Sequence, residues 1–241
     1  MTTRAGVEVL ATVAKETAPG FAAHGLVAFT TSRRAGTFGT NGVEPVNEVI
    51  GRWARLRDEL GTPRLATAKQ EHGATVHLHD GVWTGWLRAD DGDGHLAPAR
   101  GTAMAVSVAD CVPVFLAHPS GASALLHSGW RGTAARITGR AIEMLRTLGC
   151  APRDLVVHCG PAICGKCYEV SADVYAAVTG RAVSGPATVD LRAIIADHAR
   201  ALGVRDVTVS KSCTRCDNDR FFSHRAGDSG RQVGVLYAPS P

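Results

Sequence analysis

The chain is short of aromatic residues, has no long apolar run and carries no block of like charge. Only 5% of its 241 residues are Phe, Trp or Tyr. No stretch reaches the roughly 20 apolar residues of a membrane helix, so no membrane partner is expected. Lys and Arg exceed Asp and Glu by four, and the excess is spread along the chain. That mild basicity suits a small anion such as phosphate but gives no face for nucleic acid. The segment 1–15 carries Arg4, Glu8 and Lys15 without an apolar leader core, so a cytoplasmic location is expected. The 27 Gly and 11 Pro follow no period, which excludes collagen-like and low-complexity chains. No repeat or linker appears, and residues 1–241 are expected to form one domain.

What is present is an apolar fraction of 45%, enough for a sizeable core, and seven cysteines. Cys111, Cys150, Cys159, Cys164, Cys167, Cys213 and Cys216 are odd in number and crowd into the second half. Without a leader, such usage points to metal binding or thiolate chemistry more than to disulfides.

Short apolar runs alternate with amphipathic segments, which predicts an α/β domain with a mixed sheet in a layered sandwich. Helices are expected over Val46–Leu60, capped by Asn47 with Ile50, Trp53, Ala54 and Leu60 inside, over Arg131–Leu148 as the longest, and over Leu191–Leu202. Strands are expected over Ala103–Val108, Val112–Ala117, Ala122–His127, Leu155–His158, Val204–Ser210 and Gln232–Tyr237. Thr84–Gly101 reads as a long polar loop.

The densest chemistry lies between Ala109 and Gly132. A hairpin turning at Pro119-Ser120-Gly121 sets His127 opposite Pro113 and Cys111 opposite Gly129. Pro113 cannot donate to a ladder, so it must begin its strand or face away from this partner. Cys111 and His127 are then diagonal neighbours, about 7–8 Å apart at Cα. His72, in Gln70-Glu71-His72-Gly73, is the leading third ligand. Three protein ligands with an open fourth position is how catalytic zinc is held. The competing reading makes Cys111 and His127 ordinary interior residues.

Gly129-Trp130-Arg131-Gly132 follows directly, and free amides at that turn together with Arg131 could receive phosphate. Cys164-Gly165-Lys166-Cys167 and Cys213-Thr214-Arg215-Cys216 are both C-x2-C, but 45 residues separate Cys167 from Cys213, beyond ribbon spacing of roughly 15–20. A structural zinc and a set of unpaired buried thiols both remain open. Phe221-Phe222-Ser223-His224-Arg225 and Gly230-Arg231 combine aromatic faces with cations suited to a heterocycle and a phosphate, or to core and surface. His77 and His79 share one face, expected to be solvated, and His24, His95, His118, His158 and His198 have no evident partner.

Taken together, Gln70-x-His72-Gly73, Ala109-Asp110-Cys111-Val112-Pro113, His127 to Gly132, Gly160-Pro161-Ala162-Ile163, Cys167-Tyr168-Glu169-Val170, Cys213-Thr214, and Phe221-Phe222-Ser223-x-Arg225 with Gly230-Arg231 resemble the laccase-domain family of multifunctional purine nucleoside phosphorylases. The resemblance spans roughly residues 24 to 237. It implies a four-layer α/β/β/α fold, with metal ligands His72, Cys111 and His127. It implies phosphorolysis of adenosine, inosine and methylthioadenosine, and deamination of adenosine, with purine nucleosides and phosphate as partners and a monomer or small homo-oligomer. Zinc is the implied metal, with copper-linked phenol oxidation as an older label. Arg33, Arg52, Gln70, Arg131, Phe222 and Arg225 are the implied substrate and phosphate contacts, and Cys111, His127 and Arg131 the catalytic residues.

The chain departs from the family pattern at Ala35, where a Gly is usual, at Gly51, where Asn precedes the Arg, at Lys166, where a second Cys is usual, and at Cys216, an unexpected thiol. Three other readings stand beside this one. A copper phenol oxidase would use the same ligands. A cysteine hydrolase of peptidoglycan-type amides, or a cell-wall editing factor, would use Cys111 as nucleophile and His127 as base. A non-enzymatic module would rest on the two C-x2-C pairs.

Overall fold

A computed structural model of the chain describes residues 13–240. The segment 1–15 read from the sequence lies largely outside these residues. Two six-stranded mixed sheets carry the architecture. The first contains β1 (Lys15–Thr17), β2 (Val27–Thr31), β3 (Arg64–Lys69), β5 (Gly85–Asp91), β7 (Ala103–Val108) and β14 (Gln232–Tyr237), in the order β1-β2-β14-β7-β3-β5. The second contains β4 (Val76–Leu78), β6 (Gly94–Ala97), β8 (Val112–Ala117), β9 (Ser123–Ser128), β10 (Val156–Cys159) and β13 (Asp206–Val209), in the order β13-β10-β8-β9-β6-β4. A small ribbon pairs β11 (Glu169–Val170) with β12 (Ala187–Thr188).

Strand periodicity divides the apolar residues between cores. Phe115 and Ala117 of β8 face the first sheet, meeting Met104, Val106 and Leu236, while Val112, Val114 and Leu116 face the opposite way. The outer face of the second sheet is covered by α3 (Ile137–Thr147) and α5 (Leu191–Ala201), through Ile137, Ala141, Leu145 and Ile195. The outer face of the first is covered by α1 (Val46–Leu60). The layers are therefore helix, sheet, sheet, helices. Two shorter helices, α2 (Trp130–Ala134) and α4 (Ala172–Thr179), complete the fold.

Several expectations are corrected. In α1 the buried stripe is Val49, Trp53, Leu56 and Leu60, spaced by four, three and four, whereas Ile50 is exposed. Trp53 fixes this rotation by packing between Phe38 and Trp86, with ring centroids at 5.1 and 5.2 Å. Pro45, not Asn47, precedes the helix. The expected long helix from Arg131 to Leu148 is two helices, broken at Arg136 with φ 57°, so that Ile137 onward lies along the second sheet. Thr84–Gly101 is two strands. β5 looked like loop because it is an edge strand bearing Arg88, Asp90 and Asp91, charges that protect an exposed edge. His79 is buried rather than solvated, its Nε2 3.0 Å from Nδ1 of His95.

The β8–β9 hairpin keeps the expected register, Val112 with Ser128 and Pro113 with His127. Pro113 faces away from β9, and its carbonyl accepts the N–H of Gly160 at 2.9 Å.

Candidate metal centre

β3, β5 and β7 are parallel neighbours in the first sheet, so their carboxyl ends lie side by side. From each of these ends the chain crosses to the second sheet, and each crossing delivers one residue. His72 lies between β3 and β4, Asp93 between β5 and β6, and Cys111 between β7 and β8. His127 comes from β9, against which β6 and β8 pair. The donor atoms of His72, Cys111 and His127 lie within 4.8 Å of one another. The two imidazole rings are edge to face, with centroids 4.7 Å apart. This is the trio expected from sequence.

Asp93 holds the trio and was not anticipated. It is fully buried and accepts the backbone N–H groups of Glu71, His72 and Gly73 at 3.3, 3.0 and 2.6 Å. Its Oδ1 lies 2.7 Å from Nδ1 of His127. A carboxylate on Nδ1 leaves Nε2 as the ligand atom and fixes the ring. Burial works to raise the Asp93 carboxyl, but His127 and the amides hold it below the usual carboxylate range. For Cys111, burial is likewise outweighed, by the His127 charge and by hydrogen bonds with His127 and His72, which bring the thiol down to about 6. His127 responds in the opposite sense. Burial would lower it, yet the Cys111 thiolate and Asp93 push it up to about 9. Before a metal binds, the pair is thus a thiolate and an imidazolium.

The backbone here is held in uncommon conformations. His72 has φ 64° and Asp110 φ 82°, two of the three positive-φ non-glycine residues among those described. Asp110 is fixed by Thr214, whose hydroxyl donates to Oδ1 at 2.6 Å, and by Arg225, whose N–H donates to Oδ2 at 2.7 Å. Gly129 is required by close approach, since a Cβ there would lie 3.0 Å from the Cys111 sulfur and 3.2 Å from the His72 ring. His72 is exposed while His127 is 3% exposed, so the trio opens to solvent on the His72 side.

The remaining expected site residues divide into two groups. Arg131 is exposed and lies over Trp130 at 4.5 Å. The Arg225 guanidinium lies 5.1 Å from the Tyr168 ring centre and also donates to the Glu169 carbonyl at 3.0 Å. Tyr168 is raised by burial and then by the Cys111 charge, which keeps its phenol protonated. The others are engaged in the scaffold. Arg33 donates to the carbonyls of Asn218 and Phe221, pairs with Asp228 at 2.6 Å and covers the Phe222 ring at 4.4 Å. Arg52 donates to the Thr37 carbonyl and to Glu44. Gln70 mimics a strand pairing with Ser107, donating to its carbonyl at 2.8 Å and accepting its N–H at 2.7 Å.

The two C-x2-C segments also meet. Sulfurs of Cys164, Cys167, Cys213 and Cys216 lie within 4.8 Å of one another, as a second group able to hold a metal ion.

Residues 37–238 match the family model described as multi-copper polyphenol oxidoreductase laccase. The chain belongs to this family. Among its relatives, a purine nucleoside phosphorylase of Streptomyces griseus is 35% identical over 186 residues, covering 74% of this chain and 76% of that protein. One of Mycobacterium bovis is 37% identical over 194 residues, covering 76% and 77%. Among solved structures, YlmD of Geobacillus stearothermophilus superposes with a TM-score of 0.82 at 30% identity, covering 92% of this chain and 94% of that one. YfiH of Bacillus licheniformis shares the fold, with a TM-score of 0.83 at 24% identity and coverage of 95% and 97%. All four residues of the metal centre fall inside the segment matched to the family.

Proposed function

We propose that the chain is a zinc-dependent purine nucleoside phosphorylase that also deaminates adenosine. The observation that carries this reading is the open His72–Cys111–His127 trio held by Asp93, in a chain whose curated relatives are named purine nucleoside phosphorylases. One thiolate and two imidazoles, with Nε2 of His127 presented by the carboxylate, make a donor set suited to zinc. When bound there, zinc supplies a Lewis acid and favours deprotonation of an oxygen nucleophile.

The surrounding residues have distinct tasks. Arg131 and Arg225 bind phosphate beside the metal centre, and Arg33, Arg52 and Gln70 keep the loops behind it in place. Phe222, buried under Arg33, is part of that support. In phosphorolysis a phosphate oxygen attacks the ribose anomeric carbon, the glycosidic bond breaks, and its electron pair leaves with the purine. Tyr168, protonated and close to the thiolate, gives the base its proton. In deamination water adds at the amino-bearing purine carbon and ammonia leaves.

Incubation with inosine and phosphate is expected to give hypoxanthine and ribose 1-phosphate, and adenosine to give inosine as well as adenine. No product above a Cys111→Ala control overturns the reading. Elemental analysis with oxygen-uptake assays separates zinc enzyme from copper phenol oxidase.

A second reading follows from the metal-free charges. Cys111 thiolate, His127 imidazolium and Asp93 have the nucleophile–base–orienter relation of a cysteine hydrolase. Chelation separates the two, because it abolishes nucleoside turnover and frees a cysteine nucleophile.

A further inference from the structure

The second cysteine cluster has a structural origin that its sequence spacing conceals. β10 and β13 are parallel neighbours, with Cys159 beside Val209 at their carboxyl ends. Each strand leads within a few residues into a C-x2-C turn. Ala162 then forms a parallel bridge with Cys213, and the Thr214 N–H donates to the Ala162 carbonyl at 3.2 Å. The 45 intervening residues are occupied by the ribbon, α4, α5 and β13, so they impose no separation on the two turns.

Each turn directs amides at its own first sulfur, the arrangement a metal-bound thiolate requires to spread its charge. The Cys164 sulfur receives N–H groups from Lys166 and Cys167. The Cys213 sulfur receives those of Cys216 at 3.4 Å and, across the bridge, Cys164 at 3.2 Å. Cys167 and Cys216 complete the set with sulfurs 3.4 Å apart. Ligand sulfurs about 2.3 Å from a tetrahedral zinc stand roughly 3.8 Å from one another, which matches a cluster contained within 4.8 Å. Four thiolates on a divalent ion leave a double negative charge. Lys166 and Arg215 occupy the turns themselves, and Arg215 donates to the Cys167 carbonyl at 3.3 Å.

We propose that Cys164, Cys167, Cys213 and Cys216 hold one structural zinc ion in an all-thiolate site, distinct from His72–Cys111–His127. The ion clamps the two loops that form the wall of the metal centre. From the first loop the Ile163 N–H donates to the Asp110 carbonyl at 3.1 Å, and from the second Thr214 donates to the Asp110 carboxylate at 2.6 Å. Asp110 is the positive-φ residue immediately before Cys111, so the clamp supports a strained turn that the catalytic ligand depends on. With four protein ligands the ion has no open position and takes no part in chemistry.

Zinc counting on protein expressed with zinc tests this independently of any nucleoside activity. Two ions per chain are expected in the wild type, one in Cys111→Ser, one in Cys216→Ser and none in the double variant. Cys216 is exposed, so its replacement leaves the core intact. Should Cys216→Ser aggregate, cobalt reconstitution of stripped Cys111→Ser decides alone. Intense thiolate-to-cobalt charge transfer with tetrahedral visible bands supports the site, and its absence overturns it. Equal zinc counts in wild type and Cys216→Ser overturn it, as does a Cys167–Cys216 disulfide in the purified protein. Stripping this ion from Cys111→Ser is also expected to accelerate amide exchange at Ile163 and Thr214.

Discussion

Replacing Asp93 by Asn keeps one acceptor oxygen but removes the charge that sets His127. The amide cannot serve three backbone N–H groups and Nδ1 of His127 as the carboxylate does. Loss of such a partner typically weakens metal affinity by about 10–100-fold. Asp93→Asn is expected to show that loss in a zinc competition titration, with nucleoside turnover falling in parallel. Gly129→Ala acts on the ligands from the other side. Its methyl would lie 3.0 Å from the Cys111 sulfur and 3.2 Å from the His72 ring. The same titration is expected to report weaker binding by the alanine variant, while circular dichroism stays that of the wild type. Cys111 and His127 were brought together in the sequence by the hairpin register, and His72 was read from its place after an apolar run and before Gly73. Asp93 was hidden. It stands beyond a charged edge strand, where nothing local distinguishes a buried carboxylate from a solvated one.

At the scale of elements, three non-glycine residues among those described adopt positive φ, and they differ in what holds them. His72 and Asp110 are restrained by hydrogen bonds around the metal centre. Arg136 is exposed and merely turns the chain between α2 and α3. A left-handed residue with a Cβ costs roughly 1–2 kcal/mol, part of which glycine returns through its unfolded-state entropy. Arg136→Gly is therefore expected to stabilise the protein by about 0.5–1 kcal/mol in urea denaturation. This break was not legible, because the apolar residues on both sides keep helical spacing and only tertiary contact with the second sheet redirects the chain. α1 shows a related limit. Its C-terminal end was readable from Leu60 and Gly61, but Val49 and Ile50 are equally apolar, and only packing against Phe38 and Trp86 decides which turns inward.

The whole molecule should be sensitive to acid. Burial pushes His79 down to about 4, His95 to about 3 and His158 to about 4, whereas the unfolded chain titrates near 6.5. The unfolded state therefore takes up protons first. The stability that these three buried neutral histidines contribute is fully present above pH 6.5 and is lost as pH falls toward 4, by up to about 1.4 kcal/mol per pH unit for each. Urea midpoints measured between pH 7.5 and 5 are expected to fall, and His158→Gln to flatten that slope.

An α/β domain with a mixed sheet was readable from alternating apolar runs and its four layers from the family resemblance, but the strand order was not, since pairing joins residues far apart in sequence. β14, latest in chain order, lies between β2 and β7 in the middle of the first sheet. During synthesis those two strands wait with unpaired edges until Gln232–Tyr237 has left the ribosome. The β7 strand whose end leads to Cys111 already has β3 on one side and gains its second partner only then. Capture of metal by a native site therefore waits for that strand, and a ribosome-bound chain stalled before Gln232 presents an open β-edge to chaperones.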